Sequence, residues 1–243
     1  MSRRFADPAW HAAVARLVAS EEPKQVATAL ASAIGQVVEF DGTCLLLFNR
    51  AAPPEVLYHT LDPRAAKHYL ERYIAGPYLL DPLYQLALRD DKPGICRFRD
   101  AAPDRFRSSE YYRQYCERTH LGDEMDYLID AGDGNTLALV VGRFERRFSR
   151  ADVTRLRAIE SIVHAAMQRI WNGYEQGTGA ASKRAQVHAR LTECFDNFGA
   201  GVLTEREQQI TQHLLRGYST KAIARELEIA PGTVMVHKRN LFG

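Results

Sequence analysis

At 243 residues the chain has room for one large domain or for two of ordinary size. Its 46% hydrophobic and 26% charged residues are those of a soluble globular protein. A net charge of only +2 excludes a chain that coats nucleic acid along its whole length, so any DNA-binding surface has to be local.

Two helices are expected first. Trp10, Val14, Leu17 and Val18 recur at helical spacing, and Pro23 stands where a first-turn proline is tolerated before Val26, Leu30, Ala33 and Ile34. The apolar run from Thr43 to Phe48 has strand length. With Pro53-Pro54 as the turn and Glu55 to Thr60 behind it, it reads as a pair of strands. Residues 64–75 read as a helix with Tyr69 and Tyr73 one turn apart, closed by Gly76-Pro77. The stretch from Asp90 to Arg107 reads as loop, and Ser108 to Arg118 as a short helix. A hairpin follows, with strands Glu124 to Asp130 and Thr136 to Phe144 around Gly132-Asp133-Gly134. Ser149 and Asp152 form a capping-box pattern before a helix that carries Leu156, Ile159, Ile162, Val163, Ala166, Met167 and Ile170 to Trp171. The Gly- and Ser-containing residues 172–182 are the best linker in the chain.

The expected organisation is a domain over residues 1–172, a linker over 173–188 and an all-helical domain over 189–243. The fold class is α+β: an α-β-α sandwich on an antiparallel sheet, similar to GAF or PAS domains, followed by helices.

In the tail, Thr204 and Glu207 form a capping box, Ile210, Leu214 and Leu215 give the first helix a buried side, and Gly217 stops it. Ser219 caps a second helix buried through Ile223, Ala224 and Leu227. After the turn Glu228-Ile-Ala-Pro-Gly, Thr233 begins a third. Two such helices joined by a short turn form a helix-turn-helix whose last helix enters the major groove. Val234 and Leu241 face inward, which leaves Met235, Val236 and Arg239 outward. The Arg239 fork suits guanine O6 and N7, while Lys221, Thr233 and Lys238 suit phosphates. Residues 181–243 hold nine Lys and Arg against six Asp and Glu, a positive bias in the right place.

Residues 203–242, from Leu-Thr-Glu-Arg-Glu through Gly217-Tyr-Ser219-Thr-Lys221 to Thr233-Val-Met-Val-His, resemble the helix-turn-helix of LuxR-type transcription regulators. The resemblance implies a four-helix DNA-binding domain, a homodimer and one promoter half-site per subunit, with Met235, Val236 and Arg239 at the groove. Met235 stands where the family most often has lysine. The chain stops at Gly243, before the final helix such domains use for dimerisation, so the domain is expected to be shortened.

In quorum sensors of this family the front domain binds N-acyl homoserine lactones through W-x-x-x-Y followed by Asp-Pro. Here Tyr69-Leu-Glu-Arg-Tyr73 and then Asp81-Pro82 have a similar layout, with Tyr69 in place of the tryptophan. The resemblance assigns Tyr73 and Asp81 to the amide of a ligand and adds Tyr58 and Tyr69 to the candidate pocket. Without the tryptophan, a different small molecule is an equal expectation. Taken as residues alone, tyrosines at helical spacing also serve as core, and Asp-Pro as a turn.

The scattered Cys44, Cys96, Cys116 and Cys194 argue against disulfides and zinc, and neither metal nor cofactor is expected. No signal peptide and no membrane partner are expected, and the location is cytoplasmic. No nucleophile elbow, zinc-protease or phosphate-loop pattern is present, so the expectation is a regulator and not an enzyme. The partners expected are double-stranded promoter DNA, a small-molecule signal and a second copy of the chain. The alternatives are an anti-activator that pairs with a related regulator, or a regulator that needs no ligand.

Overall fold

A computed structural model describes residues 3–175 and 191–242. Most of the expected linker over 173–188 therefore lies outside the described residues.

Helix α1 (Pro8–Ala19) starts at Asp7, whose side chain accepts the Ala9 N–H, with Pro8 at the position where its missing N–H costs nothing. Helix α2 (Pro23–Val37) starts on Pro23 and buries Val26, Leu30, Ala33, Ile34 and Val37 along one side. Strands β1 (Gly42–Asn49) and β2 (Ala52–His59) pair antiparallel. Pro53 and Pro54 lie inside β2 and not in the turn, which falls at Arg50-Ala51. A proline is admissible there because β2 is an edge strand.

Residues 63–74 form helix α3, widened by a π turn at Lys67–Glu71. Helix α4 (Pro82–Ala87) is capped by Asp81. A third strand, β3 (Ile95–Arg97), lies within the stretch expected to be loop. Its three residues are too few to show a period of two. Helix α5, residues 110–119, carries a second π turn at Tyr112–Cys116. Strands β4 (Leu121–Asp130) and β5 (Asn135–Phe144) form the expected hairpin, with Asp133 in the left-handed region at φ 50°. The sheet order is β2-β1-β5-β4-β3, antiparallel throughout.

The expected long helix is broken at Ile159 into α6 (Arg150–Ala158) and α7 (Glu160–Glu175). At the break the Tyr127 hydroxyl donates to the Leu156 carbonyl at 2.8 Å. The capping box on Ser149 and Asp152 is formed in both directions. Helix α7 passes residue 172, where the sequence placed its end, because Trp171 and Tyr174 still pack on the core.

One face of the sheet packs on α1, α2, α6 and α7, with Leu45, Met125, Tyr127, Leu137, Leu139 and Val141 meeting Leu30, Ile34, Val163 and Met167. The other face lies under α3, α4, α5 and the segment between β3 and α5. There Cys44, Leu46, Phe48, Leu128 and Ala138 meet Tyr73, Tyr78, Leu83, Tyr84, Tyr111 and Tyr115. This is an α-β-α sandwich around an antiparallel sheet, as the hydrophobic pattern requires.

After a helical turn over residues 191–196, called α8, come α9 (Glu205–Arg216), α10 (Thr220–Glu226) and α11 (Pro231–Phe242). They share a small core of Ile210, Ile223, Ala224 and Val234, with Leu214, Tyr218, Leu227, Ile229 and Leu241 around it. Helix α11 begins at Pro231, two residues before Thr233, since the fixed proline φ suits a first turn. Among the described residues, no helix is long and apolar enough to cross a membrane.

A buried ion pair ties β3 to the hairpin. Arg97 donates through Nε and an Nη to the Asp123 carboxylate, with Nε 3.0 Å from Oδ2, and also to the Phe148 carbonyl at 2.8 Å. Asp123 in turn accepts the Phe148 N–H at 3.1 Å. Removing one partner of such a pair leaves an uncompensated buried charge. Asp123→Ala is expected to lower the unfolding free energy by roughly 3–5 kcal/mol, read from urea denaturation of variant and wild type.

Candidate ligand site and nucleic-acid interface

Tyr73 and Asp81, assigned together from the motif, are brought into contact. The Tyr73 hydroxyl donates to Asp81 Oδ2 at 2.6 Å, both residues being buried. Asp81 also accepts the Leu83 N–H at 2.9 Å as the N-cap of α4, and hydrogen bonds from the Tyr84 N–H and the Tyr111 hydroxyl. Its carboxylate is supplied with donors by the chain itself, so its local role is that of a helix cap wired to two tyrosines.

Tyr69 is half-buried and stacks on Phe144, ring centroids 4.0 Å apart and nearly parallel. Its backbone carbonyl receives the Tyr115 hydroxyl at 3.4 Å, within the π turn of α3. Tyr58 goes elsewhere: it packs at the margin of the helix-covered core on the opposite side of the sheet from Tyr73. A register shift in the β1–β2 pairing between Leu45 and Leu46 accompanies that placement.

Two further carboxylates stand beside Asp81. On β4, Met125 and Tyr127 point into the helix-covered core, so the alternation of the strand sends Glu124, Asp126 and Leu128 to the other face. Asp126 is 2% exposed, and its Oδ1 has no hydrogen-bond partner. Burial raises all three carboxyls. Asp81 is pushed up to about 6, its four hydrogen bonds offsetting part of the desolvation. Glu124 and Asp126 are pushed well above the usual carboxylate range by desolvation and by neighbouring negative charge. Tyr73, Tyr111, Tyr115, Cys44 and Cys116 surround them, all raised by burial first and by the nearby carboxylates second.

Glu124, Tyr111 and Tyr115 are not among the candidate residues that the sequence singles out. The available signal was the hairpin strand itself. It carries apolar residues on both faces, so acids at either parity have to be buried.

In the helical tail, Met235 and Val236 are 63% and 46% exposed, and Thr233 and Arg239 are exposed beside them on α11, while Val234 is buried and Leu241 packs inward. Lys221 is exposed on α10 and Lys238 is half-buried on α11. Gly217 closes α9 at φ 90°, a left-handed conformation that favours glycine.

That turn also meets the front domain. The Arg105 N–H donates to the Gly217 carbonyl at 3.0 Å, and the Ser219 N–H donates to Asp104 at 3.0 Å. A Cβ on Gly217 would stand 2.9 Å from the Ser109 Cβ. The hydrogen bonds from Ser219 hold the Asp104 carboxyl below its ordinary range. The segment from Phe98 to Ser109 thus bridges the two parts of the chain.

Exposed side chains on the last of three short helices, with a buried strip behind them, define a helix-turn-helix DNA reader joined to an α-β-α domain. Residues 201–243 match the family described as bacterial regulatory proteins, luxR family. An Aeromonas salmonicida protein from the exeN 3′ region, bearing the name of an HTH-type transcriptional regulator, is 28% identical over 169 residues, 67% of this chain and 85% of that protein. The monoamine regulon transcriptional regulator of Klebsiella aerogenes is 24% identical over 197 residues, 80% of this chain and 73% of that one. Among solved structures, the VqsR LBD domain from Pseudomonas aeruginosa superposes with a TM-score of 0.60 at 27% identity, covering 69% of this chain and 99% of that one. Residues 201–243 thus form a helix-turn-helix domain of the luxR-family kind, and the domain in front of it is similar in fold to the VqsR LBD domain.

The buried acids give the protein a pH signature. A carboxyl whose folded pKa lies above its unfolded value contributes stability at low pH, and that contribution is lost as pH rises through the folded pKa. For Asp81 the window runs from the ordinary aspartate value of 3.8 up to about 6, and for Glu124 and Asp126 it extends higher. Each such group contributes a slope of up to about 1.4 kcal/mol per pH unit. Asp126→Asn is therefore expected to flatten the fall in Tm between acid and neutral pH relative to wild type, measured by parallel thermal melts.

Proposed function

We propose that this protein is a cytoplasmic, dimeric transcription regulator whose affinity for promoter DNA is set by a small molecule held in the second core of the front domain. The observation that carries this reading is the continuity of residues 98–119. At one end Tyr111 and Tyr115 lie against the buried carboxylates, and at the other Asp104 and Arg105 hydrogen-bond the turn of the helix-turn-helix. A ligand that repacks the tyrosines moves the same segment that touches Gly217 and Ser219. The proposed effect is a population shift between two placements of the reading helices. In a two-fold dimer those helices lie about one DNA turn apart, ~34 Å centre to centre.

At the DNA, Arg239 is assigned to a guanine edge, Met235 and Val236 to apolar contact with bases, and Lys221, Thr233 and Lys238 to phosphates. Tyr69, Tyr73 and Asp81 are assigned to the ligand site as its wall and its anchored carboxylate. Tyr58 is assigned to packing on the far side of the sheet.

Two measurements test this. Native mass spectrometry of the purified protein, followed by denaturation, is expected to show a dimer that releases one defined small molecule per subunit. Fluorescence anisotropy on DNA selected from a random pool is expected to give different affinities with and without that molecule, and Asp104→Ala is expected to bring the two affinities together. Equal affinity in the wild type would sink the coupling. Arg239→Ala is expected to cost roughly 1–3 kcal/mol of operator binding and to relax preference at one base position. Equal weakening on every sequence would assign Arg239 to phosphate.

A further inference from the structure

The second core holds a buried carboxyl that the chain leaves without a donor. Asp126 is 2% exposed, and its Oδ1 is buried without a donor. Glu124 lies two residues along the same strand on the same face. The neighbouring charges that raise Glu124 are those of the carboxylates Asp126, Asp81 and Asp123, and Asp81 raises Asp126 in the same way. Buried charges in folded proteins are paired or hydrogen-bonded, because a bare desolvated carboxylate is strongly disfavoured. Asp81 meets that requirement through Tyr73, Tyr111 and two backbone N–H groups. The unmet requirement sits on Asp126, with the half-buried Glu124 beside it.

What surrounds them fixes the kind of counterpart. Tyr73, Tyr111 and Tyr115 form a contiguous aromatic wall, with ring centroids 5.5 Å apart for Tyr73 and Tyr115 and 5.3 Å for Tyr111 and Tyr115. Leu46, Phe48, Leu128 and Ala138 pack with them in the same apolar core. Among the described residues, no group of three or more His, Cys, Asp or Glu side chains could hold a metal ion. An inorganic cation is thereby disfavoured, whereas an ammonium has three donors to distribute and is attracted by aromatic faces.

The geometry points to a small organic cation as the signal: a protonated amine on an apolar body, donating to Asp126 Oδ1 and to Glu124 with the tyrosine rings around it. This deepens the reading of the front domain as a sensor and rests on it. A neutral acyl lactone has a single amide N–H and no charge, so it donates to only one of Asp126 and Glu124.

The full-length protein is titrated with the hydrochlorides of hexylamine, phenethylamine and putrescine, with hexanol and N-hexanoyl homoserine lactone as uncharged comparators. Binding is read by calorimetry and by Tm. At least one amine is expected to bind saturably and raise Tm, while hexanol does neither. Asp126→Asn and Glu124→Gln are each expected to weaken that amine by about 10- to 100-fold, as loss of a charged hydrogen bond does. Asp126→Asn without ligand is expected to melt no lower than wild type, because it removes an unpaired buried carboxylate, so its loss of binding is not a loss of fold. The proposal is overturned if no amine binds, or if both variants bind the amine as wild type does. Binding of the lactone alone overturns the amine while leaving the sensor intact. If no probe binds and no small molecule accompanies the purified protein, the sensor reading falls with it.

Discussion

The middle of strand β4 is covered on both faces, and that constraint organises the molecule. A strand covered on both faces has to solve the burial of every polar side chain it carries. On the helix-covered side the solution is complete, because Asp123 takes the Arg97 fork and the Phe148 N–H and so pins both the edge strand and the start of α6. On the other side Asp126 Oδ1 receives no such partner, and burial has raised the carboxyls of both Asp126 and Glu124. One strand thus anchors the fold through one parity of residues and holds the unsatisfied site through the other.

The cover over that site is built differently from the rest of the domain. Helices α1, α2 and α7 are long and packed on branched aliphatic side chains. Helices α3 and α5 each contain a π turn beside the tyrosines that face the carboxylates. A π turn leaves a backbone carbonyl off its usual ladder, and the Tyr69 carbonyl is met by the Tyr115 hydroxyl. The aromatic side chains of this half are held by hydroxyl contacts as much as by packing, as in the Tyr73–Asp81 and Tyr84–Asn49 hydrogen bonds.

Much of this was legible in the residues. Capping boxes at Ser149 and Thr204, the stop at Gly217 and the alternation of the β4–β5 hairpin each specify their element locally, and the structure forms them. The outward set of Met235, Val236 and Arg239 followed from helical geometry alone, because Val234 had to be inside. The strand at Ile95–Arg97 was not legible, since three residues flanked by charge carry no period. The two π turns were not legible either, as no local composition encodes them. Tyr58 was misplaced because a register shift in the β1–β2 pairing cannot be seen in β2 alone. The meeting of Glu124, Asp126 and Asp81 is a long-range fact: it depends on which face of the sheet the α4 cap lies over.

The two outer strands bear on how copies of the chain can meet. Pro53 and Pro54 deprive β2 of two N–H groups, and β3 at the opposite margin is three residues long. Neither rim offers the run of free donors and acceptors that a further strand needs, so the sheet is closed to extension by a neighbour's backbone. Any association between copies of the chain is left to helical surfaces and side chains, where geometry is set by packing angle and can be retuned by small rotations.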